Sequence, residues 1–186
     1  MSDPTTIDQL LDLYEAFGDQ SYGESITQNE HALQCAALAR DAGASGALIV
    51  AALFHDVGHL ALDVRGEPGF DLSREDDDHE ARGARILAPL FGPQVAQPVA
   101  LHVTAKRWRC TREPEYRDLL SSASQATLIA QGGLLNEEEC QRFEQHPGFD
   151  DALALRTWDD TGKVEGLDVG ALRDWEPLVR SLAETR

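Results

Sequence analysis

The chain is 186 residues long, with 16 basic against 33 acidic side chains and a formal net charge of −17. That length suits one domain with a sizeable core, and 42% hydrophobic residues is too apolar for a chain kept unfolded by its charge. So negative a field disfavours nucleic acid and acidic membranes as partners, and taken alone it also speaks against an anionic small substrate.

In chain order, a first amphipathic helix is predicted over Ile7–Phe17, with Ile7, Leu10, Leu11 and Tyr14 at helical spacing. Residues 18–24 form a turn-rich break. A second helix follows over 27–41 and stops at Gly43, a C′ position. Ser45 caps Gly46–Phe54, which is apolar almost all round and therefore buried. Residues 63–77 mix Gly, Pro and charge without periodicity and read as a loop. Helical patterns resume over 78–90, 94–108, 115–131, 137–145, 150–158 and 169–185. With no alternating β-type run, internal repeat or linker, the expected fold is a single all-α domain over 1–186. A polar, acidic N-terminus, no apolar run of spanning length and three cysteines without a CxxC pair point to a cytoplasmic location with reduced thiols. Cys35 lies in an apolar stretch and reads as core.

The chemistry rests on histidines and aspartates. His31 interrupts an apolar stripe, where a lone histidine is more often hydrogen-bonded core than ligand. His55-Asp56 closes the buried helix. A carboxylate there needs compensation, so the pair is either a metal site or a helix-terminal hydrogen-bonded pair. With two oxygens, Asp56 can also bridge two ions. His79 follows three aspartates that suit a solvated helix N-terminus, and it is the ligand candidate of that segment. His102 lies on an apolar helix with Lys106 one turn later on the same face. Asp159-Asp160 ends another helix. These groups converge only if the bundle closes around them. Nitrogen and oxygen donors without thiolates favour iron, manganese or magnesium over a structural zinc. His146, before Pro147, reads as a surface residue.

The order His31, His55-Asp56 and a late Asp159, with His79 and His102 between, resembles the HD-domain metalloprotein superfamily. The finer blocks are GESITQNEH at 23–31, LFHDVGHL at 53–60, HEARGA at 79–84 and LRTWDDTGK at 155–163. They are similar to a narrower group, the mixed-valent di-iron HD-domain oxygenases that break the carbon–phosphorus bond of 1-hydroxyphosphonates. Myo-inositol oxygenase is a more distant relative. The resemblance covers residues 24–163.

It implies a helical bundle around a dinuclear site, with His31, His55, Asp56 and Asp159 on one iron and His79 and His102 on the second, Asp56 bridging. Asp159 is preferred over Asp160 because it stands four residues before Lys163, as the family ligand does. His59, Lys106, Ser124, Thr127 and Arg156 map onto the phosphonate-binding group. In relatives with aminated substrates a tyrosine occupies an iron site until substrate arrives, beside an acidic residue. Here the acid is Glu24, and the nearest tyrosine, Tyr22, is one residue closer than the pattern requires. The implied activity uses an Fe²⁺/Fe³⁺ pair with O₂ as co-substrate. It converts a small hydroxymethyl-, 1-hydroxyethyl- or 2-amino-1-hydroxyethylphosphonate to phosphate and a carboxylic acid. An HD-type phosphohydrolase acting on a phosphate ester or nucleotide needs the same ligands and is the alternative; a non-catalytic scaffold would lack some of them. A quaternary ammonium group would need an aromatic cage, for which Trp108, Trp158, Tyr22 and Phe70 are the candidates. The 63–77 loop is the expected lid. Partners reduce to a small anionic phosphonate, with no nucleic acid and no membrane; the oligomeric state stays open.

Overall fold

Among the described residues, five helices begin at a side-chain cap that the sequence supplies. The computed structural model describes residues 3–19, 25–63 and 78–184. Tyr22, Glu24, Phe70 and nearly all of the 63–77 loop therefore lie outside the described residues. Among the described residues the first helix, α1 (Ile7–Phe17), starts at Thr6, whose hydroxyl accepts the Gln9 N–H. The second, α2 (Gln28–Asp41), opens on a capping box, Thr27 and Glu30 each accepting the other's backbone N–H. It ends in a Schellman motif: Gly43, at φ +73°, donates to Arg40 O while Ala44 donates to Ala39 O. Ser45 then caps α3 (Gly46–Phe54), which is buried from Leu48 onward, as an all-apolar helix must be.

The chain continues through α4 (Val57–Asp63), α5 (His79–Phe91), α6 (Pro93–Arg112), α7 (Pro114–Leu119), α8 (Ser122–Ala130), α9 (Glu137–Glu144), α10 (Phe149–Thr161) and α11 (Leu172–Glu184). Four of these, α4, α6, α7 and α8, depart clearly from the periodicity reading. The seven-residue α4 was not expected, because so short a helix shows no repeat; burial of Val57, Leu60 and Ala61 stabilises it. The single helix expected over 115–131 is two. Leu120 is extended, and Ser121 accepts the Ser124 N–H to start α8 afresh. Finally, α6 runs on to Arg112 and is stopped at Glu113, the residue before Pro114, where helical backbone is disfavoured.

Helix α6 packs against α3, α5 and α10, while α2 packs against α3 and α10. These five enclose the centre. Helices α1 and α11 contact each other and cover α3 from outside, α11 directly and α1 through the Tyr14–Phe54 edge-to-face pair at 5.2 Å. The main core joins Leu10, Tyr14, Phe54, Leu60, Leu87, Val99, Leu155 and Val179. A small separate cluster, Cys110, Tyr116, Leu120 and Leu128, seats α7 and α8 on α6. No helix among the described residues is long and apolar enough to cross a membrane.

Candidate metal centre

Four imidazoles arrive from α2, the end of α3, the start of α5 and the middle of α6, and all four are buried. Three have their outer ring nitrogen held by a backbone carbonyl. His31 Nδ1 donates to Gly162 O at 2.8 Å, His55 Nδ1 to Ala52 O at 2.8 Å and His102 Nδ1 to Val99 O at 2.7 Å. His79 Nδ1 faces Glu80 Oε2 at 3.6 Å. The three carbonyl bonds hold a proton on Nδ1 of His31, His55 and His102 and turn their Nε2 atoms inward. The Nε2 atoms of His31 and His55 are 3.2 Å apart, and those of His79 and His102 are 3.1 Å apart. Nitrogens that close need either a shared proton or a metal cation between them. Two imidazoles on one ion, each at about 2.1 Å, stand about 3 Å apart when adjacent in its coordination shell. The pairs fit two metal ions.

Asp56 divides itself between the pairs. Its Oδ2 lies 3.7 Å from His31 Nε2 and 3.5 Å from His55 Nε2, whereas Oδ1 lies 3.8 Å from His79 Nε2 and 3.9 Å from His102 Nε2. Asp159 joins the first pair, its Oδ1 at 3.3 Å from His31 Nε2 and 3.8 Å from His55 Nε2. The double carboxylate is thereby separated. Asp160 turns the other way, accepting from Tyr116 Oη at 2.6 Å and pairing with Arg156. All six ligand candidates are thus brought to one centre.

The electrostatics demand positive charge. Burial opposes a charged His55, yet Asp56 and Asp159 raise its pKa to about 9. Burial likewise pushes Asp56 up, and the imidazoles of His55, His59 and His79 more than reverse it, leaving the carboxyl well below its ordinary range. For Asp159, burial is outweighed by Arg156, Lys163 and the hydrogen bonds of His31 and His55. His102 is driven down by burial and then by His79, so it stays a neutral donor. Two further donors stand close by. Cys35 Sγ lies 3.7 Å from His31 Nδ1, but it donates to Trp158 O, and burial first, then Asp159 and Asp56, keep the thiol protonated. His59 stacks on His79 with centroids 3.8 Å apart, and its ring nitrogen lies within 4.8 Å of donors on Asp56 and His79.

The residues mapped onto phosphonate binding lie on α4, α6, α8 and α10. Lys106 is only 3% exposed, donates to Thr127 Oγ1 at 3.0 Å and has no carboxylate in salt-bridge range among the described residues. A buried ammonium without a carboxylate is a place for an anion. Thr127 Oγ1 in turn donates to Ser124 O, and Ser124 is buried. Arg156, 4% exposed, already donates to Tyr116, Asp159 and Asp160. Of the aromatic-cage candidates, Trp158 packs in the main core. Trp108 packs on Phe143 and Phe149, and its indole N–H donates to Glu144.

Composition and periodicity missed several supporting groups. Gly162 supplies the His31 carbonyl, and Gln34 clamps the segment after it through paired bonds with Val164 at 2.8 and 2.9 Å. Tyr116 gave no signal at all. Gly58 had one, the glycine inside HDVGH: a Cβ there would lie 2.0 Å from the His79 carbonyl oxygen, so α4 approaches the α5 N-terminus only without a side chain. Gly58→Ala is expected to cost about 3 kcal/mol, a fall in melting temperature of about 6–12 °C. Displacement of His79 should also empty the second ion site, measured as metal content.

A family model described as HD domain matches residues 29–135. That stretch holds five of the six ligand candidates, and Asp159 lies beyond it. A hydroxymethylphosphonate dioxygenase from Gimesia maris is 44% identical over 178 residues, covering 96% of this chain and 88% of that protein. A 1-hydroxy-2-(trimethylamino)ethylphosphonate dioxygenase (glycine-betaine-forming) from Leisingera caerulea is 35% identical over 173 residues, covering 92% of this chain and 87% of that protein.

Proposed function

The chain belongs to the HD-domain family, among its phosphonate dioxygenases, and from that premise we propose that it cleaves the carbon–phosphorus bond of a small 1-hydroxyphosphonate with O₂. Hydroxymethylphosphonate is the first candidate substrate. With it the reaction balances as hydroxymethylphosphonate plus O₂ giving formate and phosphate. The observation that carries the reading is the division of Asp56, each oxygen facing its own histidine pair.

His31, His55, Asp56 and Asp159 would hold one iron, and His79, His102 and the second Asp56 oxygen the other. A bound Fe²⁺/Fe³⁺ pair supplies the redox chemistry, with O₂ as co-substrate. The protein's own tasks are binding and orientation. Lys106 presents an ammonium to the phosphonate, with Thr127 and Ser124 beside it as neutral hydroxyl partners. Arg156 adds its guanidinium at the Asp159 side. His59, stacked over His79, is placed to donate to a phosphonate oxygen near the second ion. Burial of Lys106 and Arg156 removes competing water, so both charges act at low dielectric. The anion is accommodated inside a chain of net charge −17 because the charge that faces it is local. For Tyr22 and Glu24 the resemblance remains the support, as an iron-site lock and its acidic partner.

Iron-loaded protein given hydroxymethylphosphonate in air should release phosphate and formate in equal amounts, with one O₂ consumed per phosphate. Phosphate released without oxygen from a phosphate ester or a nucleotide, in Mn²⁺ or Mg²⁺, would instead mark a phosphohydrolase. No release from hydroxymethyl-, 1-hydroxyethyl- or 2-amino-1-hydroxyethylphosphonate would sink the assignment.

A further inference from the structure

We propose that Tyr116 is a positioning residue for Asp159, acting through Asp160 and Arg156, and that it decides how many Asp159 oxygens remain for the metal. The inference rests on the metal-centre reading of Asp159. Tyr116 comes from α7, far in sequence from α10, and its hydroxyl closes a ring of hydrogen bonds. Arg156 Nε donates to Tyr116 Oη at 3.1 Å, Tyr116 Oη donates to Asp160 Oδ2 at 2.6 Å, and Arg156 Nη2 donates to Asp160 Oδ1. Arg109 closes the outer side, its guanidinium 3.9 Å from the centre of the Tyr116 ring and its Nη1 3.6 Å from Asp160 Oδ2.

The ring fixes the plane of the Arg156 guanidinium. With Nε and Nη2 engaged, only Nη1 reaches Asp159, at Oδ2 and 2.7 Å. Asp159 Oδ1 stays turned to His31 and His55, at 3.3 and 3.8 Å. An unrestrained guanidinium beside a carboxylate favours two parallel bonds to its two oxygens. That arrangement would take Oδ1 away from the histidines. Tyr116 and Asp160 therefore hold Arg156 to a single-oxygen contact and leave Asp159 Oδ1 to the histidines, with Lys163 Nζ 3.8 Å from the same oxygen.

Tyr116→Phe removes the hydroxyl while keeping the ring's packing against Cys110, Leu120 and Leu128 and its stacking under Arg109. Asp160→Asn breaks the same ring from the other side with no change in size. The iron-loaded full chain of each variant is titrated with a chelator and the iron retained is counted, with the EPR spectrum of the coupled pair recorded alongside. The expected result is selective. One of two irons leaves at about ten- to hundredfold lower chelator concentration, the range for outer-shell changes, and the pair's signal goes with it. The other iron is held as in the wild type. The measure is the ratio of the two affinities, which a general loss of stability does not move. An unchanged ratio in both variants overturns the proposal, whether both irons weaken together or neither does. Wild-type protein that holds two irons yet releases no phosphate would remove the oxygenase reading and leave this one standing; wild type that cannot hold two irons removes both.

Discussion

Asp56→Asn is expected to strip iron from both sites at once and to lower kcat by about 10³-fold or more, beyond the ten- to hundredfold typical of outer-shell changes. The reason is geometric. Each Asp56 oxygen serves a different histidine pair, at 3.5–3.7 Å on one side and 3.8–3.9 Å on the other. An amide presents only one acceptor, and it carries no charge to offset the ions. Asp159→Asn should behave differently, because of the two histidine pairs Asp159 faces one, His31 and His55. The iron at His79 and His102 should remain in that variant. Metal analysis of the two purified variants checks both statements, and far-ultraviolet circular dichroism should show the helices of each intact. If Asp159→Asn lost both irons and Asp56→Asn kept one, the bridging role would be wrongly assigned.

The second large effect belongs to Lys106. Lys106→Met keeps most of the side chain's length and deletes its charge. Loss of a charge-assisted contact to a dianion is worth about 3 kcal/mol, or ~100-fold in kcat/KM, and the loss should fall mainly on KM. The same change should stabilise the substrate-free protein by about 1–2 kcal/mol, because a buried ammonium without a carboxylate costs solvation energy. Activity and stability then move in opposite directions. The pH dependence follows. Burial, with Arg156 next, lowers the Lys106 pKa from 10.5 to about 7. Because the folded value is depressed below the unfolded one, the cost of burying this charge is fully present below pH 7 and fades as pH rises toward 10.5. The melting-temperature advantage of Lys106→Met should therefore be greatest at acid pH and vanish at alkaline pH. For binding, the ammonium is lost as pH climbs through about 7, so wild-type KM should rise relative to that of Lys106→Met. The substrate's own titration is common to both and cancels in the ratio. A KM ratio that does not change between pH 6 and 9, against this pKa of about 7, would remove Lys106 from the binding site.

Much of this was legible along the chain because it is local. The cap at Ser45, the Gly43 stop and the apolar run of α3 are short-range facts, and the helices form where those signals lie. The ligand types were legible too, since a buried His-Asp pair at the end of an apolar helix poses a charge problem that few solutions answer. Less was legible where two elements had to be known together. The break at Leu120-Ser121 depends on α7 and α8 docking separately on α6 through Tyr116, Leu120 and Leu128, so helical spacing alone read one helix. The short α4 exists because its apolar side is buried and because Gly58 lets it meet the α5 backbone.

The choice between Asp159 and Asp160 marks the same boundary at the site. As neighbours on one helix their side chains point about 100° apart, and nothing within the helix says which faces the histidines; only the family pattern singled one out. The tertiary structure turns Asp159 to His31 and gives Asp160 to Tyr116, a residue 44 positions away. Sequence alone determined the all-helical class, the donor types and the acidic exterior, because propensity, capping and charge are properties of short segments. Which carboxylate meets which imidazole, which of its oxygens faces them and which lysine is buried away from carboxylates were decided only when distant helices packed, because those are distances between segments far apart in the chain.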